Sequence, residues 1–454
     1  MEHEFVLGTE QQAAIDSIIK FINSSEKAYS LIGYAGTGKS TIIRWLIEYM
    51  ENEGIPYLLA APTHKAKSVI KYVTGRDAMT IHQVLKLTPN IEILDLDMRD
   101  LKFMVRQFIV SEIPFKGVLI CDEASMINDP LYELLLTKAQ EASAKILFVG
   151  DIAQLKPVKS VYNSLVFSLP NKSELTTIYR QSSESGLTTV LPILREKSLP
   201  RFQSAYGSEG SLICVHSPKE LFQYAVPSFR KAIETRDIFE AKFYAYINAR
   251  TSALNQKMRS ALFPGDAPYY QNEILTSYEN FSHGYIDYWN SMDYIIDAEP
   301  ERIEKTIPHV GVFAGYRLSL YDTAEQMSGT VFILDADTSP SKILTLSTII
   351  ESTRLAAIDY KQKKHRNASI MWQKYYEIIN SFTTPFDLYY DDRVVKKKTF
   401  DYGYASTVHK SQGSSINNVF TDMKNILSCR DELEVRQLQY VALSRARTNA
   451  YVFQ

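Results

Sequence analysis

One stretch decides the fold: Gly33-Tyr34-Ala35-Gly36-Thr37-Gly38-Lys39-Ser40 is a complete G-x-x-x-x-G-K-[ST] phosphate loop. The apolar run at residues 29–32 predicts a strand before the loop, and apolar residues at helical spacing over residues 42–50 predict a helix after it. This order lets backbone N–H groups and the positive end of a helix surround a polyphosphate. A glycine-rich turn without a ligand is the alternative, but every loop position matches, so we expect a nucleoside triphosphate site.

The phosphate loop also assigns roles to individual side chains. Lys39 is expected to reach the β and γ phosphates, and the Ser40 hydroxyl is expected to hold Mg²⁺. ATP and Mg²⁺ are therefore the predicted cofactors. The residues expected to bind the nucleotide at this end of the site are Gly33, Ala35, Gly36, Thr37, Gly38, Lys39, Ser40 and Thr41.

The composition is typical of a globular cytosolic protein. Of the 454 residues, 45% are hydrophobic and 22% are charged, and no apolar run is long enough to span a bilayer. Three widely spaced cysteines favour a reducing cytoplasm, and the acidic N-terminus does not resemble a signal peptide. A net charge of −2 argues against a protein that coats nucleic acid without specificity, although a basic groove stays open.

Alternating strands and helices predict an α/β fold for the first part of the chain. Residues 29–32, 57–61, 117–121 and 145–149 are short β-prone runs, each followed by a helix-like stretch. This rhythm is typical of a doubly wound parallel sheet, which binds ligands at the carboxyl ends of its strands. The irregular, mixed-charge segment between residues 80 and 115 interrupts the rhythm and predicts an insertion.

A second α/β pattern follows, and a second insertion interrupts it. Its strand candidates are residues 243–247, 402–406 and 418–422. The Tyr-rich region from residue 272 to residue 398 lacks a βαβ rhythm and predicts a small β-rich unit with helices. Its basic clusters favour solvated faces over a binding surface.

Two adjacent acids close the third predicted strand. Asp122 and Glu123 follow the apolar run 117–121, and such a pair is costly at a buried strand end unless it has a chemical role. In a phosphate-loop ATPase the first acid supports Mg²⁺ and the second activates the attacking water. We therefore expect Asp122 in the metal site and Glu123 as the general base.

Three more polar residues are candidates for contact with the γ-phosphate. Gln154 follows the next strand, where it can sense the phosphate and the water or can be an exposed amide in a turn. Arg180 and Arg445 lie in the second α/β pattern, and an arginine that reaches a transferring phosphate greatly speeds phosphoryl transfer. Ordinary salt-bridge arginines are the alternative, and sequence spacing leaves both open.

Two strand-to-helix junctions carry similar polar residues. Pro62, Thr63 and His64 close the second strand, and His409 to Gly413 are expected to open a helix in the second pattern. Donors at helix N-termini suit the phosphates of an extended nucleic-acid strand, and histidine rings can stack on bases. Hydrogen-bonded structural histidines are the alternative.

In chain order, these motifs resemble those of superfamily 1 helicases, and most closely those of the RecD-like branch. The resemblance spans the whole chain, but it is dense in residues 1–160 and 400–454 and thin between them. The matching segments are Gln11, the phosphate loop, 61–64, 80–82, 122–125, 150–154, Arg180, 406–413 and 441–445.

The resemblance implies two RecA-like P-loop NTPase domains with parallel sheets and with ATP at their interface. It implies that Gln11 reads adenine, that Gly413 contacts the nucleotide and that Arg180 and Arg445 are arginine fingers. The full implied catalytic set is Lys39, Glu123, Gln154, Arg180 and Arg445. The residues implied for nucleic-acid binding are Pro62, Thr63, His64, Thr80, His82, Thr407 and His409.

Domain boundaries also follow from the resemblance. The first RecA-like domain (1A) carries a small insertion (1B), and the second (2A) carries a larger, β-rich insertion (2B). In this order the implied ranges are 1–84 with 115–168, then 85–114, then 169–271 with 399–454, and finally 272–398.

The two insertions have implied roles. Insertion 1B would hold a strand-separating pin with Phe103 or Phe108 as its aromatic residue. Insertion 2B would be an SH3-like unit with a tower-like elaboration, in which Trp372, Tyr375 and Tyr376 are candidates for a DNA or tower contact.

The predicted function is an ATP-dependent DNA helicase that moves on single-stranded DNA from 5′ to 3′, unwinds duplex and displaces proteins. Expected partners are single-stranded DNA, junctions of single- and double-stranded DNA, and single-strand-binding, replication or recombination proteins; a monomer is expected, and a membrane partner is not. Two alternatives stay open, a translocase with little unwinding and a nucleotide-switched nucleic-acid-binding protein. A phosphotransferase is disfavoured because the sequence indicates no acceptor pocket.

Overall fold

The chain folds into two units, the first formed by residues 1–221, 244–247 and 407–454 and the second by residues 222–243 and 248–406. None of the described helices is both long and apolar enough to cross a membrane. The structure is a computed structural model that describes residues 7–86, 88–89, 108–109, 116–157, 160–178, 185–363, 365 and 367–454.

The N-terminal part of the first unit alternates strands with helices, as predicted. Its elements are α1 (Thr9–Ile22), β1 (Ala28–Gly33), α2 (Lys39–Asn52), β2 (Tyr57–Ala61), α3 (His64–Thr74), β3 (Ala78–Thr80), α4 (Ile81–Val84), β4 (Thr88–Pro89), β5 (Phe108–Ile109), β6 (Val118–Cys121), α5 (Asp129–Glu141), β7 (Lys145–Gly150) and β8 (Lys172–Leu175). The four strands predicted here are confirmed, each to within one residue at its ends.

Six of these strands form one parallel sheet in the order β3-β2-β6-β7-β1-β8. Helices α1 and α2 cover one face, where Ile15, Ile18, Ile43 and Leu46 are buried with apolar residues of β1 and β7. Helices α4 and α5 pack into a second core that includes Leu135. The sheet is therefore doubly wound, which places its ligand edge at the carboxyl ends of the strands.

The chain leaves the first sheet through α6 (Leu187–Glu196) and β9 (Ser211–Val215) and builds the second unit. The elements of that stretch are α7 (Pro218–Thr235), β10 (Ala241–Ala245), α8 (Asn248–Leu262), β11 (Ile274–Ser277), β12 (Phe281–His283), β13 (Ile286–Tyr288), β14 (Asp293–Ile296), β15 (Glu301–Ile307), β16 (Gly311–Asp322), β17 (Met327–Leu334), α9 (Pro340–Gln362), α10 (Ala368–Asn380), β18 (Leu388–Tyr390), β19 (Arg393–Lys396), β20 (Phe400–Tyr402) and β21 (Ala405–Thr407).

Strands of an antiparallel sheet and two long helices occupy the region that the sequence predicts to be a β-rich insertion, and its standing as an inserted domain remains a prediction. The strand order is β15-β16-β14-β11-β20, with β17 also paired to β16. Its core contains an aromatic cluster, in which Tyr288, Tyr294 and Phe400 are in mutual ring contact. On α10 the rings of Trp372 and Tyr376 stack at 5.9 Å, and their contact with DNA or a tower remains a prediction, as does the SH3-like description.

The C-terminal stretch returns to the first unit as β22 (Ile416–Asp422), α11 (Met423–Ile426), α12 (Glu432–Ser444) and β23 (Ala446–Phe453). Strands β22, β23 and β9 are neighbours and run parallel. The strand predicted at 418–422 is confirmed inside β22, the one predicted at 243–247 begins two residues earlier, and 402–406 is divided between two strands. The domain boundaries implied by the resemblance remain predictions.

A buried ion pair in the second unit gives a test of this fold. The Lys242 ammonium donates to Asp293 and to the Gly403 carbonyl, each at 2.7 Å, and both charged side chains are more than nine-tenths buried. Lys242→Met would leave the Asp293 carboxylate buried without its cation, so we expect the free energy of unfolding to fall by about 3–5 kcal/mol. Urea unfolding measures this change.

The matched control is the exposed pair of Asp359, in the last turn of α9, and Lys363, the residue that caps this helix, at 2.8 Å. Asp359→Asn should lower the free energy of unfolding by less than about 1 kcal/mol, because water already screens this pair. Equal losses for the two variants would contradict the buried placement of Lys242.

Candidate active site

The phosphate loop leaves β1 at Gly33 and enters α2 at Lys39. Gly38 caps the helix with a left-handed φ of 85°, which favours glycine, and a Cβ atom there would also lie 2.1 Å from Nε2 of Gln11, whose side chain would have to move. The Lys39 ammonium donates to the carbonyl oxygens of Gly33 at 2.6 Å and Tyr34 at 3.0 Å. The loop thus holds the lysine beside its own backbone at the start of the helix.

Gln11 supports the loop from α1. Its side-chain oxygen accepts from the N–H of Gly8 at 3.0 Å, and its amide nitrogen donates to the carbonyl of Thr37 at 3.1 Å. The side chain is buried and lines the same cavity as the loop. Its contacts in the structure are to the chain itself, so adenine reading by Gln11 remains a prediction.

Asp122 and Glu123 stand at the carboxyl end of β6, as predicted. Glu123 adopts a left-handed backbone conformation with φ of 51°, which turns the chain sharply, and its N–H donates to the Asp122 carboxylate at 2.9 Å. Burial raises the pKa of Asp122 and the Glu123 carboxylate raises it further, to about 7, whereas Lys39 acts in the opposite direction. A cation beside Asp122 would favour its charged form.

Glu123, Gln154 and Arg445 meet at this edge. Arg445 is the C-cap residue of α12, is 5% exposed, and places Nη1 3.9 Å from Oε1 of Glu123. In the amide orientation that satisfies both ends, Gln154 donates to Oε2 of Glu123 at 3.2 Å and accepts from Nη2 of Arg445 at 3.2 Å. One amide therefore bridges the predicted general base and the predicted arginine finger.

These residues surround a single cavity of about 340 Å³. Its lining contains most of the predicted nucleotide and catalytic residues, and it adds four that the sequence analysis did not single out: Val69, Ser414, Ser415 and Ser444. Ser414 and Ser415 directly follow Gly413, and this run of small residues is a sequence signal that could have identified them as lining residues. Val69 has no comparable signal in the sequence. The residues that line the cavity are Gln11, Ala35, Gly36, Gly38, Lys39, Ser40, Thr41, Val69, Asp122, Glu123, Gln154, Gly413, Ser414, Ser415, Ser444 and Arg445.

Two of the predicted nucleotide-binding residues, Gly33 and Thr37, are not among the lining residues. Gly33 contributes only its carbonyl oxygen to Lys39, and Thr37 is fully buried with its hydroxyl donating to Tyr34 at 2.9 Å. Arg180 lies outside the described residues, so its role as a second arginine finger remains a prediction.

Five of the residues predicted to bind nucleic acid lie at the N-terminal ends of α3 and α4. The hydroxyl oxygens of Thr63 and Thr80 accept backbone N–H groups and cap α3 and α4. Pro62 and His64 are half-buried, and His82 is exposed. Their contact with DNA remains a prediction.

The second junction differs from the prediction. The segment after β21 forms a short 3-10 turn, Val408–Ser411, so the expectation of a helix opening at His409 is wrong: Gln412 returns to an extended backbone. Thr407 is buried, and Nε2 of His409 lies 3.2 Å from a carboxylate oxygen of Glu434.

The two junctions touch each other. The ammonium of Lys65 on α3 donates to the carbonyl of Lys410 at 3.4 Å. Gly413 has a φ of 76°, and a Cβ atom there would lie 3.1 Å from Cα of Ala66. The close approach at Gly413 joins the cavity to the faces predicted to hold DNA.

Comparison with known proteins places this site in context. The family model described as "AAA domain" matches residues 6–217, and the one described as "UvrD-like helicase C-terminal domain" matches residues 402–453. The chain is 25% identical over 464 residues to the ATP-dependent DNA helicase dda of Enterobacteria phage T4, covering 97% of this chain and 98% of that protein. It is also 32% identical over 182 residues to the ATP-dependent RecD2 DNA helicase of Deinococcus radiodurans, covering 40% of this chain and 23% of that protein.

Solved structures share the fold. Pif1 helicases from Bacteroides, solved with ADP-AlF3 and ssDNA, and from Candida albicans each match with a TM-score of 0.50. Their sequence identities are 18% and 16%, and the matches cover 99% of this chain and 92% and 94% of those chains. The predicted fold class, two RecA-like α/β domains, is confirmed by this likeness.

The contacts of Gln11 lead to a prediction. Gln11→Ala removes the bonds to Gly8 and Thr37, so we expect the affinity for ATP and for GTP to fall about tenfold, equivalent to about 1.4 kcal/mol. Titration with fluorescent nucleotide analogues measures both affinities. The control is Gln12→Ala, since the exposed Gln12 amide donates to Asp16 on the same helix, at 2.9 Å. ATP affinity equal in the two variants would contradict the supporting role of Gln11.

Proposed function

We propose that this chain, which belongs to the superfamily 1 DNA helicases of the Dda, RecD and Pif1 type, moves from 5′ to 3′ on single-stranded DNA and displaces bound proteins as it unwinds duplex. It is an ATP-dependent DNA helicase. The observation that carries the hydrolytic part of the proposal is the contact of Glu123, Gln154 and Arg445, because it brings residues from both α/β patterns to one point in the cavity.

The residues present fit ATP and Mg²⁺. Ser40 and Asp122 line the cavity beside Lys39, and the described residues contain no cluster of three or more His, Cys, Asp or Glu side chains that could hold a metal alone. Two protein oxygens with phosphate oxygens are the usual setting for Mg²⁺. When bound, the ion would neutralise phosphate charge.

The side chains divide the hydrolytic work among them. Lys39 would bind the β and γ phosphates, and Glu123 would accept the proton of the attacking water. Gln154 contacts Glu123 and Arg445 together, so it would report the state of the γ-phosphate to both. Arg445 would stabilise negative charge that develops on the transferring phosphate.

Movement along DNA would follow from the joined junctions. Lys65 and Gly413 connect the Pro62–His64 face to the Val408–Ser411 turn, at one wall of the cavity. Opening and closing of the cavity would therefore alternate the grip of the two faces on the strand. Because contacts to phosphates dominate such binding, affinity should fall steeply with salt and show little sequence preference.

Several parts of the proposal concern regions or properties beyond the cavity. Strand separation would fall to insertion 1B, where Phe103 lies outside the described residues and Phe108 belongs to β5. Single-stranded DNA and its junctions with duplex would be the ligands, and single-strand-binding, replication or recombination proteins would be partners. A cytoplasmic monomer is the form we propose.

Unwinding of tailed duplexes tests direction and dependence on hydrolysis together. With ATP, the wild type should unwind a duplex with a 5′ single-stranded tail and leave one with a 3′ tail intact. Glu123→Gln keeps the side-chain shape but removes the base, so we expect hydrolysis to fall by about a hundredfold or more while ATP still binds.

The outcomes separate the alternatives. Unwinding from the 3′ tail would overturn the direction. Displacement of streptavidin from a biotinylated strand without unwinding would indicate a translocase. ATP hydrolysis that single-stranded DNA does not stimulate would contradict the motor itself.

A further inference from the structure

A tyrosine hydroxyl joins the phosphate loop to the carboxyl edge of the first sheet. Tyr440 on α12 is fully buried, and its hydroxyl oxygen accepts from the N–H of Ala35 at 2.9 Å. The same hydroxyl donates to the Asp151 carboxylate at 2.8 Å. We call Ala35, Tyr440 and Asp151 the hydroxyl relay.

The direction of each bond in the relay is fixed by chemistry. A backbone N–H can only donate, and an ionised carboxylate can only accept. Burial raises the pKa of Tyr440 well above its ordinary value, and the nearby Asp151 raises it further, so the hydroxyl keeps its proton at neutral pH. The second carboxylate oxygen of Asp151, which is fully buried, accepts from the N–H of Ala153 at 2.9 Å, next to Gln154 in the chain.

Helix α12 links the relay to the reacting end of the cavity. Arg445 caps the C-terminus of the helix that carries Tyr440, and it contacts Glu123 and Gln154. The same helix contacts the stretch after β7 once more, because Gln437 accepts from the N–H of Lys156 at 3.5 Å. If the helix moves as one body, a displacement at Tyr440 carries Arg445 with it.

A second residue holds the loop beside the relay. Arg195 on α6 places its guanidinium 3.9 Å from the ring centroid of Tyr34, the neighbour of Ala35. Helix α6 packs against α12. Tyr34 and Ala35, which are consecutive in the phosphate loop, are thus contacted by side chains of α6 and α12, two helices that pack together.

We propose that Tyr440 is a positioning residue that couples the phosphate loop to the placement of Arg445. Tyr440 is not among the residues that line the cavity, so it acts without touching the nucleotide. A shift of Ala35 when phosphate enters the loop moves the hydroxyl and, through α12, the guanidinium that faces Glu123. The inference deepens the proposed function and rests on ATP hydrolysis in this cavity.

A double-mutant cycle tests the relay. Tyr440→Phe removes only the hydroxyl, and Asp151→Asn keeps the side-chain shape but replaces an accepting oxygen by a donor. For ATP hydrolysis in the presence of single-stranded DNA, we expect each variant to lower kcat about tenfold and to change KM less than about threefold. The double variant should fall no further than either single one, because both changes break the same connection.

Tyr29→Phe is the matched control. Tyr29 is also a buried tyrosine of the first unit, and its hydroxyl bonds to Ser173 at 2.8 Å, at the edge of the sheet rather than on α12. Its kcat should equal that of the wild type. Each rate is divided by the concentration of active sites, which is titrated with a fluorescent ATP analogue. A partly unfolded variant therefore does not show a falsely low kcat.

Two results would overturn the relay: wild-type kcat in Tyr440→Phe, or independent effects that multiply in the double variant. If the wild type hydrolyses no ATP, the proposed function fails instead. The relay, which rests on that hydrolysis, then falls with it.

Discussion

The site depends on three carboxylates at the carboxyl edge of one parallel sheet, where Asp151 is fully buried and Asp122 and Glu123 are half-buried. Asp122, Glu123 and Asp151 follow adjacent strands, and a carboxylate removed from water costs several kcal/mol unless it gains partners. Arg445 and Tyr440, both from α12, supply partners to Glu123 and Asp151. The edge that would bind the nucleotide is thus also the edge that requires the second α/β pattern to lie against it.

Two glycines make the close packing at this edge possible. Gly38 leaves room for Gln11 behind the phosphate loop, and Gly413 leaves room for Ala66 where the two predicted DNA-binding junctions meet. Both glycines have a left-handed φ, so a larger residue at either position would strain the backbone there, and at Gly413 it would also press on the backbone of Ala66. Tight packing of this kind makes a cavity respond to a ligand by discrete shifts rather than by gradual deformation.

Much of the fold was predictable because local patterns carry it. The phosphate loop, the apolar strands and the acids at the end of β6 are each recognisable within a few residues, and the structure brings Lys39, Glu123, Gln154 and Arg445 to one cavity as expected. The hydroxyl relay was not predictable. Tyr440 is one of 29 tyrosines, and its partner Asp151 lies 289 residues away in the chain, so no local pattern indicates the contact. The sequence predicts a helix after β21 because its polar residues match a helix start, whereas the structure has a 3-10 turn that ends at Ser411, and the φ of 76° at Gly413 does not fit a helix.

The central claim is that Arg445 completes the hydrolytic site around Glu123, and the rate of ATP hydrolysis by Arg445→Ala tests it most directly. In saturating single-stranded DNA, we expect kcat to fall by about a hundredfold or more, with ATP affinity changed less than about threefold. Arg447→Ala, an exposed arginine two residues later, should keep the wild-type kcat. A fall in ATP affinity with kcat unchanged would contradict the claim and would make Arg445 a nucleotide-binding residue only.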